Sequence, residues 1–284
     1  MFDNGLLKYF PEHATKDGLL NLKPPVFNMF PGVDDYRFLD YLETQEGIFY
    51  AKSVSKQVAD AEILMGQIYN LLGLDCAVYL GGKEFETSSK ITVVSNNVVK
   101  GNYVYAHDHF SKLEEKIGKY WCLDLPQRKI DNVIDYSKII TKEAMAKQIF
   151  MRIADVATRN IDRNTANFCY KIENGIITDL SLFDNGACSQ PYIDRRYFHD
   201  FESSDNLSEY LMLAMVRDNE NIRDYVSLES IANKIGSINI VDMAKDINQT
   251  TGYVLDKTFV DDTARQMDYV ANALVCSDEQ FYNM

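Results

Sequence analysis

Residues 167–186 read NFCYKIENGIITDLSLFDNG. Two apolar runs flank Asn174-Gly175, a pair that favours a type I′ turn because both of its positions require positive φ. The segment therefore predicts a β-hairpin over 167–184, with Glu173 paired to Ile176. Carrying that pairing to the open end sets Asn167 across from Leu182. Asp184, two residues beyond Leu182, shares its face, at the roughly 7–8 Å of a diagonal neighbour. Asp162 sits just ahead of the first strand. Two carboxylates and an amide oxygen converging there would suit Mg²⁺, which takes a few carboxylates together with phosphate and water oxygens. A surface hairpin with polar ends fits the same spacing.

Working outward, TRNIDRNTANF (158–168) links this hairpin to a segment of helical pattern. Upstream, GIFYAKSV (47–54) reads as a strand and QVADAEILMGQIYNLLGL (57–74) as a helix ending at Gly73. DCAVYLGG (75–82), SKITVVSN (89–96) and NYVYAHDHF (102–110) read as further strands. Residues 1–35 are irregular, broken by Pro11, Pro24, Pro25 and Pro31. Beyond 110 the pattern is helical near 110–119, 127–136, 141–157, 206–218, 221–235, 241–249 and 255–275. A strand-rich first third followed by a helix-rich remainder predicts an α+β, two-lobed fold. The expected division is 1–106 and 107–284, with a hinge near 103–110.

The 284 residues carry a formal net charge of −13 and are 46% hydrophobic. That content supports a real core, while the acidic balance speaks against a general nucleic-acid surface. No run of about 18 apolar residues marks a membrane span, and the N-terminus lacks the pattern of a cleaved signal. Five cysteines (Cys76, Cys122, Cys169, Cys188 and Cys276) form no CxxC, so neither a disulfide framework nor a zinc site is expected. A cytoplasmic setting is the simplest expectation, with export as a translocated effector left open.

One residue is out of place in the helix pattern. Val58, Met65, Tyr69 and Leu72 form a single apolar stripe, and Glu62 falls in its middle. A carboxylate facing a core is costly unless paired. A cation from the preceding strand is the natural partner, with Lys52 the nearest candidate there, and an Arg or Lys elsewhere could also serve. A strand lysine held by a helix glutamate is a known arrangement against nucleotide phosphates. A solvated Glu62 on a slightly rotated helix is the other reading.

Five pieces, FYAK, AEILMGQIYNLLGLDCAVY, YVYAHDHF, NIDRNTANF and LFDNGACSQP, occur in an order that resembles the HipA-like kinases, with a layout nearest to the CtkA type of bacterial serine/threonine kinase. The resemblance spans roughly 47–192 and implies a protein-kinase-like fold using ATP and Mg²⁺. It implies that Lys52 holds the α- and β-phosphates and that Glu62 orients it. Tyr105 and His107 would offer backbone groups to adenine, and Asp108 would lie near the ribose. Asp162 would receive or orient the proton of the attacking hydroxyl, and Asn167 and Asp184 would bind Mg²⁺. The expected activity is transfer of the γ-phosphate to a Ser or Thr hydroxyl of a protein substrate, the chain itself included. A small-molecule acceptor and a pseudokinase acting as a binding module are the alternatives. Asn164 stands where the family often has His, and DNG stands in place of a DFG-like triplet. FPGVDDYRF (30–38) is the positional candidate for a phosphate loop, although Asp34 and Asp35 would repel phosphate. Neither a nucleic-acid partner nor an antitoxin-bound DNA complex is expected.

Overall fold

The computed structural model describes residues 39–44, 47–84, 91–96, 102–106, 138–160, 163, 167–186, 188, 209–218 and 220–282. For several strand residues, Lys52 among them, the backbone alone is described.

The chain is a mixed α+β protein. Strands β1 (Leu39–Thr44), β2 (Gly47–Val54), β4 (Tyr79–Glu84) and β5 (Ile91–Asn96) form an antiparallel sheet in the order β1-β2-β5-β4. Helix α1 (Lys56–Leu71) follows β2 directly. Ser55 caps it, its side chain accepting from the Val58 N–H, which satisfies one of the orphan donors of the first turn. Gly73 ends it at φ 85°. Gly73 N–H bonds Asn70 O and Leu74 N–H bonds Tyr69 O, each at 2.9 Å, the paired bonds of a Schellman stop. Ile63, Leu64, Met65, Ile68, Tyr69 and Leu72 are buried, and α1 packs on the first sheet through β4 and β5.

The second sheet is assembled from distant parts of the chain. Its order is β3 (Asp75–Cys76), β8 (Ile176–Leu182), β7 (Phe168–Glu173) and β6 (Tyr103–Tyr105). β7 and β8 are the hairpin, with Asn174 at φ 52° and Gly175 at φ 81°, as a type I′ turn requires. β3 runs parallel to β8, pairing Asp75 with Ser181 and Cys76 with Leu182. Helix α2 (Lys142–Ala157), capped by Thr141, lies across β8. The Tyr170 hydroxyl donates to Gln148 Oε1 at 2.7 Å, fixing how the helix sits on the hairpin.

The remaining described helices are α3 (Glu209–Asp218), α4 (Glu220–Arg223), α5 (Leu228–Gly236), α6 (Ile240–Thr251), α7 (Lys257–Val275) and α8 (Asp278–Tyr282). α7 is their centre, packing against α2, α3, α5 and α6. Val260, Met267, Val270 and Leu274 form its buried stripe. Among the described residues no helix is long and apolar enough to cross a membrane.

The structure departs from the sequence expectation in several places. The strand expected at 75–82 is two strands belonging to different sheets, and the helix expected at 221–235 is broken between Arg223 and Leu228. β1 and α8 were not expected. The hairpin register also differs. Glu173 does pair with Ile176, and Ile172 with Ile177, but Lys171 pairs with Asp179. Thr178 is thus an extra residue on β8, a β-bulge. Everything toward the open end slips by one, so Phe168, not Asn167, faces Leu182. The expected helices at 110–119 and 127–136, the 30–38 segment, His107, Asp108, Cys122 and Asp162 lie outside the described residues.

Candidate active site

The residues of interest gather where α1, the end of α2 and the open end of the hairpin meet. α2 closes with a Schellman reversal of its own. Thr158 is its cap, Arg159 takes φ 50°, and Asn160 N–H bonds Asp155 O at 2.8 Å. A non-glycine residue in this left-handed region costs roughly 1–2 kcal/mol. The reversal turns the chain back toward the hairpin, where Arg163 is reached.

Arg163 is buried, 4% exposed, and each of its three guanidinium nitrogens donates to a protein acceptor. Nε donates to Asp155 Oδ1 at 3.2 Å. Nη1 donates to the carbonyls of Asn167 at 2.9 Å and Phe183 at 2.8 Å. Nη2 donates to Asn185 Oδ1 at 2.7 Å. The group also stacks 5.3 Å from the centre of the Tyr69 ring. Tyr69, from α1, donates its hydroxyl to Asp155 Oδ1 at 2.6 Å. Burial by itself would lower the arginine's pKa, but Asp155 and the neighbouring groups raise it well above its ordinary value. It is a permanent cation. Burial pushes the Tyr69 hydroxyl and the Cys188 thiol well up, and the Cys76 thiol to about 12.

Glu62 is fully buried on α1. Of the two sequence readings, the buried one holds. Its Oε2 accepts the backbone N–H of Asn185 at 2.9 Å. A Cβ built on Gly186 would stand 3.2 Å from Glu62 Oε1 and 3.8 Å from Asp184 Oδ1. Both carboxylates therefore flank one short turn, and a side chain at 186 would intrude between them. Lys52 occupies an interior position of β2, its backbone paired with Leu39 and with Val93. Its side chain lies outside the described part.

Asn167 is buried at the start of the hairpin, and its carbonyl accepts from Phe183 N–H at 3.2 Å. The slipped register alone would put Asp184 on the face opposite to Asn167. Asp184 escapes that alternation because it is not extended: its φ is 55°. Backbone strain of this kind, about 1–3 kcal/mol, persists only where surrounding contacts impose it. Here Phe183 and Asn185 are both held by Arg163. Among the described residues no group of three or more His, Cys, Asp or Glu forms a metal cluster. An amide oxygen and a carboxylate still fit Mg²⁺, which takes few protein ligands when phosphate and water complete its shell.

Tyr105 ends β6, 43% exposed, with its ring edge-on to Phe183 at 5.9 Å. An aromatic pair with an open flank thus borders Asp184. Within TRNIDRNTANF, the sequence leaves Arg163 open to countering local charge, contacting phosphate or a structural place, and it does not single out Asn185 or Asp155. Their signal was weak: only buried geometry separates a guanidinium that binds protein carbonyls from one that waits for phosphate.

No protein-family model matches the chain, and no curated protein matches it. Among solved structures, the chain is similar to the proinflammatory kinase CtkA of Helicobacter pylori. Sequence identity is 16%, covering 87% of this chain and 92% of that one, with a TM-score of 0.49. It is also similar to the Shewanella oneidensis MR-1 toxin–antitoxin complex of HipA, HipB and operator DNA. There identity is 10%, covering 93% of this chain and 70% of that one, with a TM-score of 0.46.

Proposed function

We propose that this chain is a kinase that transfers the γ-phosphate of ATP, with Mg²⁺, to a Ser or Thr hydroxyl of a protein, acting in the cytoplasm. The observation that carries this reading is the contact between Glu62 on α1 and the N–H of Asn185, immediately after Asp184. It ties the helix that follows the Lys52 strand to the turn that bears the candidate metal carboxylate. Those are the two parts a kinase must bring into register.

In this reading the chain works as two lobes, 1–106 and 107–284. Lys52 holds the phosphates from one side, and Glu62 orients it. Tyr105, His107 and Asp108 hold the adenosine, with Tyr105 and Phe183 offering an apolar border. Asn167 and Asp184 would hold Mg²⁺, which when bound neutralises charge on the β- and γ-phosphates. Asp162 orients the acceptor hydroxyl and receives its proton as the oxygen bonds to the γ-phosphorus. The bond from that phosphorus to the β–γ bridging oxygen breaks, and ADP leaves. The protein supplies position and charge rather than covalent chemistry.

The test is intact-mass spectrometry after incubation with ATP and Mg²⁺, with and without a generic protein acceptor, for wild type, Asp162→Ala and Asp184→Ala. A phosphate gained on chain or acceptor with wild type alone is the expected result. No transfer, together with nucleotide binding indifferent to Mg²⁺ and to Asp184→Ala, would overturn the reading in favour of a kinase-fold binding module.

A further inference from the structure

We infer that Arg163 is a positioning residue that fixes Asn167 and Asp184 in the geometry of a divalent-cation site; this rests on the metal-site reading proposed above. The resemblance gives Arg163 no role, and as an arginine among candidate catalytic residues it could have served phosphate. Its burial and its protein acceptors argue against that. All three guanidinium nitrogens are occupied by protein acceptors, and its side chain is 1% exposed.

The acceptors share a pattern. Nη1 bridges the carbonyls of Asn167 and Phe183. The first belongs to one candidate donor residue, and the second opens the peptide leading into the other. Nη2 holds the side chain of Asn185, on the far side of Asp184. Asp184 thus stands between two residues gripped by the same planar group, in a left-handed conformation that its own preference opposes. The hairpin cannot do this alone. Its register has already slipped at the Thr178 bulge, and the alternation of an extended strand would send Asp184 away from Asn167. Arg163 replaces ladder geometry with a rigid fork.

The fork is itself anchored. Asp155 on α2 accepts from Nε, and the Tyr69 hydroxyl from α1 meets the same Asp155 oxygen. The Asn185 amide nitrogen contacts Cys76 Sγ at 3.3 Å, and its backbone N–H reaches Glu62. A shift of the fork would reach the candidate phosphate-side glutamate and the candidate metal donors together. A lysine, with one charged nitrogen, cannot span all four acceptors.

The experiment compares wild type, Arg163→Lys and Asp184→Ala as full chains. Calorimetry measures the Mg²⁺ concentration that half-saturates enhanced ATP binding, and ATP affinity without metal. Mn²⁺ as a paramagnetic probe reports the coordination by its spin-resonance spectrum. Arg163→Lys is expected to raise the Mg²⁺ requirement about 10–100-fold, the usual cost of losing a residue that orients metal ligands. Metal-free ATP affinity should stay within about threefold, and the Mn²⁺ spectrum should change. Should Arg163→Lys fail to fold, Asn185→Ala removes one arm of the fork while keeping the N–H to Glu62; a smaller rise in the Mg²⁺ requirement is then expected. If Asp184→Ala raises the requirement but Arg163→Lys and Asn185→Ala leave it at the wild-type value, the metal site stands and the positioning role is overturned. If Asp184→Ala also leaves it unchanged, the metal-site reading fails and the role of Arg163 falls with it.

Discussion

The buried carboxylate of Glu62 and the backbone N–H of Asn185 meet at 2.9 Å across 123 positions of sequence. Removing the acceptor strands a buried donor, which costs about 1–3 kcal/mol. Glu62→Ala should therefore lower the urea midpoint clearly. Glu62→Gln keeps an oxygen for the N–H and should retain most of the stability, while losing the charge that a partner lysine would need. Equilibrium unfolding of both variants beside nucleotide affinity checks the pair. Equal stability loss in the two would show that the N–H is satisfied some other way.

Gly66 lies inside α1, where alanine would normally add about 1 kcal/mol through helix propensity. A Cβ there would stand 2.5 Å from the backbone carbonyl oxygen of Ala77, which cannot rotate aside. Overpacking of that kind costs about 1–3 kcal/mol. Gly66→Ala should lower the thermal midpoint despite the better helix former, and a raised midpoint would contradict the close approach.

Asp60 carries a pH signature. It is buried on α1, where it accepts from Lys56, from the Tyr253 hydroxyl at 2.9 Å and from Asp256 N–H at 3.2 Å. Burial raises its pKa above 3.8, and those donors recover only part of the shift. The folded state then holds this proton more tightly than the unfolded chain does. The resulting stability is fully present below the unfolded pKa and is lost as pH rises through the folded pKa. Asp60→Asn removes this dependence. The stability of wild type relative to Asp60→Asn should fall as pH rises from about 4 to 7, read from denaturant midpoints at each pH. A flat difference would sink the assignment.

Thiol accessibility gives a further check. Cys76, Cys169 and Cys188 are buried, and Cys276 is half-buried. Burial pushes the thiols of Cys76 and Cys169 to about 12 and that of Cys188 well up, which suppresses the reactive thiolate. Among these four, alkylation of the native protein at mild pH should mark Cys276 first. Peptide mapping after brief iodoacetamide treatment would show it.

What the sequence made legible was local. The Ser55-to-Gly73 helix, the Asn174-Gly175 turn and the α2 stretch before TRNIDRNTANF each carry signals within a few residues. The stripe that exposed Glu62 as misplaced was also local, because helix periodicity alone shows which face a residue takes. The bulge at Thr178 has no comparable mark: threonine is an ordinary strand residue, and one extra position shifts every pairing beyond it. Nothing local marks Asp60 as buried; its hydroxyl donor, Tyr253, lies 193 positions away. Arg163 was visible as an arginine, but half of its acceptors are backbone carbonyls, which any sequence supplies, and the other two, Asp155 and Asn185, carry no local mark.

The pairing of β3 with β8 bears on how the molecule is made. Asp75 receives the Ser181 hydroxyl across 106 positions, and Cys76 aligns with Leu182. At about 5–20 residues per second of synthesis, the early strand waits on the order of ten seconds for its neighbour. Cys76 and the Glu62 side of α1, which meets Asn185, spend that interval uncovered. A nascent chain halted before Ser181 would present this apolar seam to chaperones, and one released just past Asn185 could close it.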